Sequence, residues 1–550
     1  MKKLLLLLIL LPLCSLAQSK KKKIIKEEQA NVVLVNRLQA HIQYLAADNL
    51  EGRRAGTPGE LLALAYISKQ YQEMGLEPKG IDGYVQEFDI DEGKQADTAT
   101  TFLMVNSKKL ALGKDFFPLA FSATNSTRSS LALSLNEVGQ PWCIDLKDVL
   151  EENQQNPHFD MEEAIKKEAM KSAKRGATAL ILYNSSPLID NILFNKNDKS
   201  IAVAIPVLYI TAEGFKQYFT DATATIPVSL GVGFSQKLRK ARNLIGYINN
   251  NAATTVILGA HYDHLGYGED KNALDTGHVI HHGADDNASG TAALIELTRL
   301  LKESAPKNNN YLVIHFSAEE LGLLGSRYWL EHPTTTISAN YMINMDMVGR
   351  YDTAHKLTIG GYGTSPTWDD IFKHTTNNNL VIKFDSAGSG PSDHESFYKK
   401  DIPVLFFFTG SHSDYHKATD SWDKINYNSE RAIVQYIYRL ISVADDKGKL
   451  SFAKTTETTT GRSTTFKVTL GIMPDYGFTG TGVRIDGISP GKLAEKTGLQ
   501  VGDIVLQLGE YKFVDVMSYM KILGKFNKGD KTKLRILRKG ESKEFDIQFL

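Results

Sequence analysis

Thr254-Thr255-Val256-Ile257-Leu258-Gly259-Ala260-His261-Tyr262-Asp263-His264, followed after a polar loop by His281-His282-Gly283-Ala284-Asp285-Asp286-Asn287-Ala288-Ser289-Gly290, decides the fold class of this 550-residue chain. The run Val256 to Leu258, closed by Gly259-Ala260, reads as a buried strand, because consecutive apolar positions suit a strand covered on both faces. His261 and Asp263 then stand at its C-terminal end, the edge where open α/β sheets bind their ligands. Gly290 opens a helix to Glu303 with Leu294, Leu297, Leu300 and Leu301 on one side.

Outward from this stretch, further strands are expected at Asn310–Phe316, Ala339–Met345, Lys356–Gly360 and Ile402–Phe408, with a closing helix over 429–445. Strands alternating with helices predict an α/β domain whose mixed, mainly parallel sheet is sandwiched by helices. Upstream, helices are expected over 27–48 and from Glu60 to Met74, separated by a glycine- and proline-rich break that carries Arg53 and Arg54. That arginine pair reads as a substrate-side feature or as a loop tied to a carboxylate.

Residues 101–238 differ in texture. Short strands (Ser130–Leu135, Thr178–Tyr183, Val203–Ile210, Thr225–Leu230) surround one charged helix, Asp160–Lys174, with few ligand-type residues at strand ends. The segment reads as an inserted β-rich module that splits the α/β domain into 25–100 and 239–446. A Lys-, Thr- and Ser-rich linker is expected at 447–464. Residues 465–550 then form a small β domain, with strands expected at Phe466–Gly471, Gly482–Ile488, Ile504–Leu508, Lys533–Leu537 and Glu544–Phe549.

With 42% hydrophobic and 23% charged residues and a formal net charge of +0, the chain offers no global basic field for nucleic acid. Lys2-Lys3, the apolar run Leu4 to Leu13 and Ser15-Leu16-Ala17 make residues 1–17 a secretory signal, too short to span a membrane. Export to the periplasm or the medium is therefore expected, with no transmembrane segment after cleavage. Pro12-Leu13 ahead of Cys14 fit a lipid-anchor site poorly. Cys143 is the one other cysteine, so a cleaved chain has no intramolecular disulfide and no thiolate metal site.

Several further segments bring ligand-type side chains to expected strand ends: Ser317-Ala318-Glu319-Glu320, Asp346 after Met345, and Tyr415-His416 beyond Phe408. One ligand from each, with His261 and Asp286, gives two imidazoles and three carboxylates. That set suits two Zn2+ ions sharing one carboxylate, which would hold a bridging water and lower its pKa. Glu319 remains free as general base. Asp263 is placed to accept the other N–H of His261 and so fix its tautomer. Asp393 and His394, in a Gly/Ser-rich loop, and His412 are read as lining the substrate pocket or supporting the ligands, without ligating; His315 is read as core, and His264 as a loop or supporting residue.

The segments Gly259 to His264, Gly283 to Gly290, Phe316 to Ser326, Asn344 to Arg350, Pro391 to Phe397 and Tyr415 to Ile425 resemble, in order, the signature segments of the di-zinc exopeptidases of the bacterial leucyl aminopeptidase type. Leu50 to Gly59 extends the likeness. The resemblance implies a phosphorylase/hydrolase-like fold, His261 and Asp346 on one zinc, Glu320 and His416 on the other, and Asp286 as bridge. It also implies a general-base role for Glu319 and oxyanion stabilisation by Tyr415. The implied activity is removal of N-terminal residues from peptides, with a carboxypeptidase or glutaminyl cyclase of the same fold as alternatives and, from another class, a non-catalytic receptor-like protein. The insert, chiefly through Ala173 to Ile181, resembles a protease-associated domain. Residues 465–550 are similar to a PDZ domain, whose carboxylate-binding loop would be Leu470, Gly471, Ile472 and Met473 and whose groove would take a peptide C-terminus.

Overall fold

Val256, Leu258 and Ala260 enter one hydrophobic core while Ile257 enters another on the opposite face, so the Thr254 strand is covered on both sides. The computed structural model describes residues 25–550 except 155–158, 160, 197, 199, 222–224, 271, 276, 305, 353–355, 378, 456–467, 475–477, 479, 489–491, 515 and 550. The expected leader at 1–17, Phe466 and the linker from 456 onward lie outside the described residues.

Among the described residues nine strands form the central sheet: β1 (Glu77–Pro78), β2 (Val85–Ala96), β3 (Phe234–Ile248), β4 (Thr254–His261), β5 (Asn309–Phe316), β6 (Ala339–Met345), β7 (Leu357–Gly360), β8 (Ile382–Phe384) and β9 (Val404–Phe408). Their spatial order is β1-β3-β5-β4-β6-β9-β7-β8, with β2 also paired to β3. The central run β5-β4-β6-β9 is parallel. Antiparallel neighbours flank it, β3 on β5 and β7 on β9, so the sheet is mixed with a parallel centre.

Strand alternation sorts the core. In β5, Tyr311 and Val313 face the larger cluster, and Leu312, Ile314 and Phe316 face the smaller. Against the first face pack α1 (25–45), α2 (Pro58–Glu73), α3 (Gly290–Ser304) and α6 (Tyr427–Ala444). Against the second pack α4 (Leu324–Glu331) through Trp329 and α5 (His394–Tyr398) through Phe397. Among the described residues no helix is long and apolar enough to cross a membrane.

Strand β2 and the 234–242 part of β3 are absent from the sequence reading, and β3 runs across the expected junction at 238/239. Lys240 pairs with Asp89 (2.9 Å) and Glu87 (3.3 Å), Arg242 with Glu87 (2.8 Å) and Lys237 with Glu92 (2.8 Å), while Phe88, Ile90 and Ala241 alternate with these charges and are buried in a small core of their own. Between β2 and β3 lie a four-stranded antiparallel sheet and a second four-stranded sheet of mixed direction. The strand expected at Ser130–Leu135 occupies Asn125–Ala132 instead, in full register with Thr225–Val232. The C-terminal region is a separate antiparallel sheet with its own core, including Leu470, Val483, Val505, Leu534 and Ile536. Among the described residues its first strand is Ile472–Pro474; of the expected Phe466–Gly471, residues 466 and 467 lie outside the described residues and 468–471 form no strand.

Candidate metal centre

Each parallel central strand delivers a polar side chain at its carboxyl end. His261 is the last residue of β4, Glu319 and Glu320 follow β5, Asp346 follows β6, and the loop after β9 reaches His416. Asp286 comes from the turn ahead of α3, which must sit close to the end of β6: a Cβ at Gly290 would lie 2.4 Å from the Met345 carbonyl oxygen. Asn287 ties the same turn down, donating to the Met345 carbonyl (3.1 Å) and accepting from the Met347 N–H (3.1 Å).

The five side chains read as ligands converge. His261 Nε2 is 3.4 Å from Asp286 Oδ1 and 3.4 Å from Asp346 Oδ1, and 3.8 Å from Glu319 Oε2. His416 Nε2 is 3.2 Å from Asp286 Oδ2 and 3.2 Å from Glu320 Oε2. The two oxygens of Asp286 therefore face two different imidazoles. A tetrahedral ion with bonds of about 2.0–2.1 Å to N and O donors has donor–donor edges near ~3.3 Å, which the four shorter separations match. His261 Nε2 and Asp346 Oδ1 are buried with no hydrogen-bond partner among the described residues, as expected of atoms shaped to hold a cation. The donor set is N and O throughout, without sulfur, and suits zinc.

Neighbours aim these donors. Asn344 donates to Ser392 Oγ (2.7 Å), which donates to Asp346 Oδ2 (2.8 Å) and leaves Oδ1 to face His261. His416 Nδ1 lies 2.8 Å from the Asn272 carbonyl oxygen, and His264 Nδ1 lies 2.8 Å from Glu320 Oε1. His264 also comes within ligand reach of Asp286 and Glu320. Asp263 sits differently from the expectation. Its carboxylate is 3.7 Å from His261 Nδ1, while its main-chain carbonyl is nearer at 3.3 Å. The Asp263 carboxylate instead accepts the Glu319 N–H at 3.1 Å and orients that peptide.

Asp285 and Asp286 part company at this turn. Asp285 accepts from Gly349 N (2.7 Å) and Ser289 Oγ (3.0 Å) and lies 3.1 Å from His412 Nε2, so His412 supports the turn and stays out of the donor cluster. Asp393 is buried near His261, and burial raises its carboxyl to about 7. His394 is buried and stacked on Phe406 at 4.3 Å; burial lowers its pKa to about 3 and keeps it neutral. Tyr415 stacks on His416 at 3.9 Å, and burial together with the charges of Asp286 and Glu320 holds its phenol well above 10.0. His315 is a core residue, 2.7 Å from the Tyr71 hydroxyl.

Charge in the cluster is lopsided towards carboxylate. Burial lifts Glu319 well above the ordinary range, and Asp346, Asp393 and Glu320 add to the effect. Burial alone would lower both imidazoles, yet the surrounding carboxylates hold His261 and His416 well above 6.5. Two features escape the sequence reading. Arg53 is fully buried and donates to the carbonyls of Leu45 (2.7 Å), Tyr262 (2.9 Å), His282 (2.5 Å) and Gly283 (3.0 Å). Arg54 forms the anticipated carboxylate tie, holding Asp270 at 2.6 and 2.7 Å. The second is Asn272, which touches both Glu320 and His416.

A buried carboxylate–imidazole cluster at the carboxyl end of a parallel sheet defines a class, the α/β proteins whose strand ends can hold divalent cations. Residues 243–441, which contain the whole cluster, match Peptidase family M28. Aminopeptidase YwaD of Bacillus subtilis is 28% identical over 270 residues, 46% of this chain and 53% of its own length. The probable aminopeptidase YDR415C of Saccharomyces cerevisiae is 30% identical over 186 residues, 31% of this chain and 48% of its own. The chain thus spans about half the length of these curated relatives. The structure of BSAP, a zinc aminopeptidase from Bacillus subtilis, aligns over 77% of this chain and 96% of its own at 20% identity and a TM-score of 0.41.

Proposed function

We propose that this chain is an exported zinc aminopeptidase that removes N-terminal residues from peptides and uses two Zn2+ ions. The observation that carries the reading is Asp286, whose two oxygens reach separate donor groups, His261 with Asp346 on one side and His416 with Glu320 on the other. Zinc bound there supplies Lewis acidity, polarising the scissile carbonyl and acidifying water. Glu319, with Oε2 at 3.8 Å from His261 Nε2, takes the proton from the attacking water and passes it to the leaving amine. Tyr415 donates to the oxyanion that develops on the carbonyl. Asp263 holds the Glu319 peptide, and Ser392 orients Asp346.

In the same reading, residues 1–17 direct export, the 101–238 insert serves as a protease-associated domain beside the peptidase, and 465–550 act as a PDZ domain. Leu470 is buried and its carbonyl accepts from Ala494 N (2.7 Å), while Gly471, at φ 77°, turns the chain into the strand that carries Ile472 and Met473. That strand edge is where a peptide C-terminus would add.

Glu319→Gln tests the chemistry. Turnover of amino-acyl anilides should fall about 10²–10⁴-fold with zinc content unchanged. Wild-type-like turnover in the variant would remove Glu319 from the mechanism, and release of the C-terminal residue from N-acylated peptides, with no turnover of amino-acyl anilides, would replace the aminopeptidase with a carboxypeptidase.

A further inference from the structure

The donors around Asp286 are unequally supported. His261 ends a central strand, and Asp346 follows one directly and is held by Ser392. Glu320 and His416 lie on loops, the latter at φ 54°, and no regular element fixes their side chains. What reaches both is the segment from 264 to 282, between β4 and the Asp286 turn.

Its contacts fall on the two loop-borne donors. His264, itself buried, lies with Nδ1 2.8 Å from Glu320 Oε1. Asn272 Nδ2 donates to the Glu320 carbonyl at 3.1 Å and to Glu320 Oε2 at 3.3 Å. The Asn272 carbonyl lies 2.8 Å from His416 Nδ1, and Leu274 N donates to the His416 carbonyl at 2.9 Å. The segment is anchored on both sides of Asn272. Asp270 is held bidentately by Arg54, and Asp275 accepts from Ala418 N (2.8 Å) and lies 2.6 Å from His281 Nε2.

The chemistry of this clamp is specific. A carboxylate can bind a cation through one oxygen or both, and His264 occupies Oε1, which leaves Oε2 as the oxygen facing His416 Nε2 at 3.2 Å. An imidazole whose Nδ1–H is given to a carbonyl keeps its lone pair on Nε2, the atom turned towards Asp286 and Glu320. Neither His264 nor Asn272 contacts His261 or Asp346 by a hydrogen bond, so the hydrogen bonds they make to the donors fall on Glu320 and His416 alone.

We propose that His264 and Asn272 are positioning residues for the second cation alone: they fix Glu320 as a one-oxygen ligand and His416 as an Nε2 ligand, and so set the affinity of that ion independently of its neighbour. The inference rests on the two-zinc reading. The test is zinc binding to the full chain, followed by calorimetry and by competition with a chromophoric chelator. Wild type should take two equivalents. His264→Ala and Asn272→Ala should keep the first equivalent at wild-type affinity and weaken the second about 10–100-fold. His264→Asn, which restores a donor at the Nδ1 position, should recover most of the loss. His278→Ala, in the same segment but stacked on Tyr267, should bind like wild type. Asn272, only half-buried, keeps the question answerable if His264→Ala does not fold. Unchanged binding in both alanine variants, equal weakening of both equivalents, or no recovery in His264→Asn would overturn the clamp. A wild-type chain that binds fewer than two equivalents would instead overturn the two-zinc reading beneath it.

Discussion

Replacing Arg53 with alanine should unfold the peptidase region more easily than any change to an exposed arginine. The guanidinium is fully buried, and its hydrogen bonds end on four carbonyls from three separate segments: Leu45 at the end of α1, Tyr262 beside His261, and His282 and Gly283 at the entry to the Asp286 turn. Burial lowers its pKa to about 10, with the nearby Asp286, Asp263, Asp420 and Glu320 charges opposing the drop, so it stays charged at neutral pH. A hydrogen bond from a charged donor contributes about 1.5 kcal/mol at the lower end of its range, which puts four near ~6 kcal/mol. Water entering the vacated space would re-satisfy part of the carbonyl set, so a loss of about 4 kcal/mol is expected, large against the roughly 5–15 kcal/mol of a typical domain. Urea unfolding followed by tryptophan fluorescence reads this directly, because Trp329 and Trp368 are buried in the same region. Arg53→Lys keeps the charge but not the planar fork and should recover less than half of the loss. A change below about 1 kcal/mol in Arg53→Ala would refute the reasoning, since a charged hydrogen bond alone is worth more than that. Full recovery in Arg53→Lys would show that charge matters and geometry does not.

Removing zinc with a chelator should lower the melting temperature and restoring it should raise it again, by about 2.7 kcal/mol of stabilisation at 100 times the dissociation constant; identical melting with and without chelator would argue against a bound ion. Glu296, buried on α3, lies 3.1 Å from His41 Nε2 and accepts from Arg299 at 3.1 Å. Burial would raise its carboxyl, but His41 and Arg299 outweigh it and leave the pKa below 4.5. A depressed carboxylate contributes stability above its unfolded pKa and loses it as pH falls through the folded one. Glu296→Gln should therefore cost about 2 kcal/mol at pH 7, and the gap to wild type in urea unfolding should close as pH drops below 4.5.

Much of the centre is legible in one dimension because its parts obey local rules. Val256 to Leu258, the apolar β5 run and Ala339 to Met345 mark buried strands by composition alone, and ligand-type residues directly after them must land on one edge of a parallel sheet. His261, Glu319, Glu320 and Asp346 are readable for that reason. Strand β2 was not, because its apolar alternation is confined to Phe88 and Ile90 between Glu87, Asp89 and Asp91, too short a period to mark the whole strand, and its partner β3 is distant in sequence.

What the chain alone determined was therefore the set of elements and the residue types at their ends. Only the tertiary structure decided which atoms of those residues meet. It turned Asp286 to the imidazoles and Asp285 to Gly349 and His412, moved the support of His261 from the Asp263 carboxylate to its carbonyl, and brought Arg53, His264 and Asn272 to the ligand loops. The physical reason is range: periodicity and turn chemistry act over a few residues, whereas His264 meets Glu320 across 56 positions and Asn272 meets His416 across 144, and such meetings are set by how the whole sheet and its loops pack.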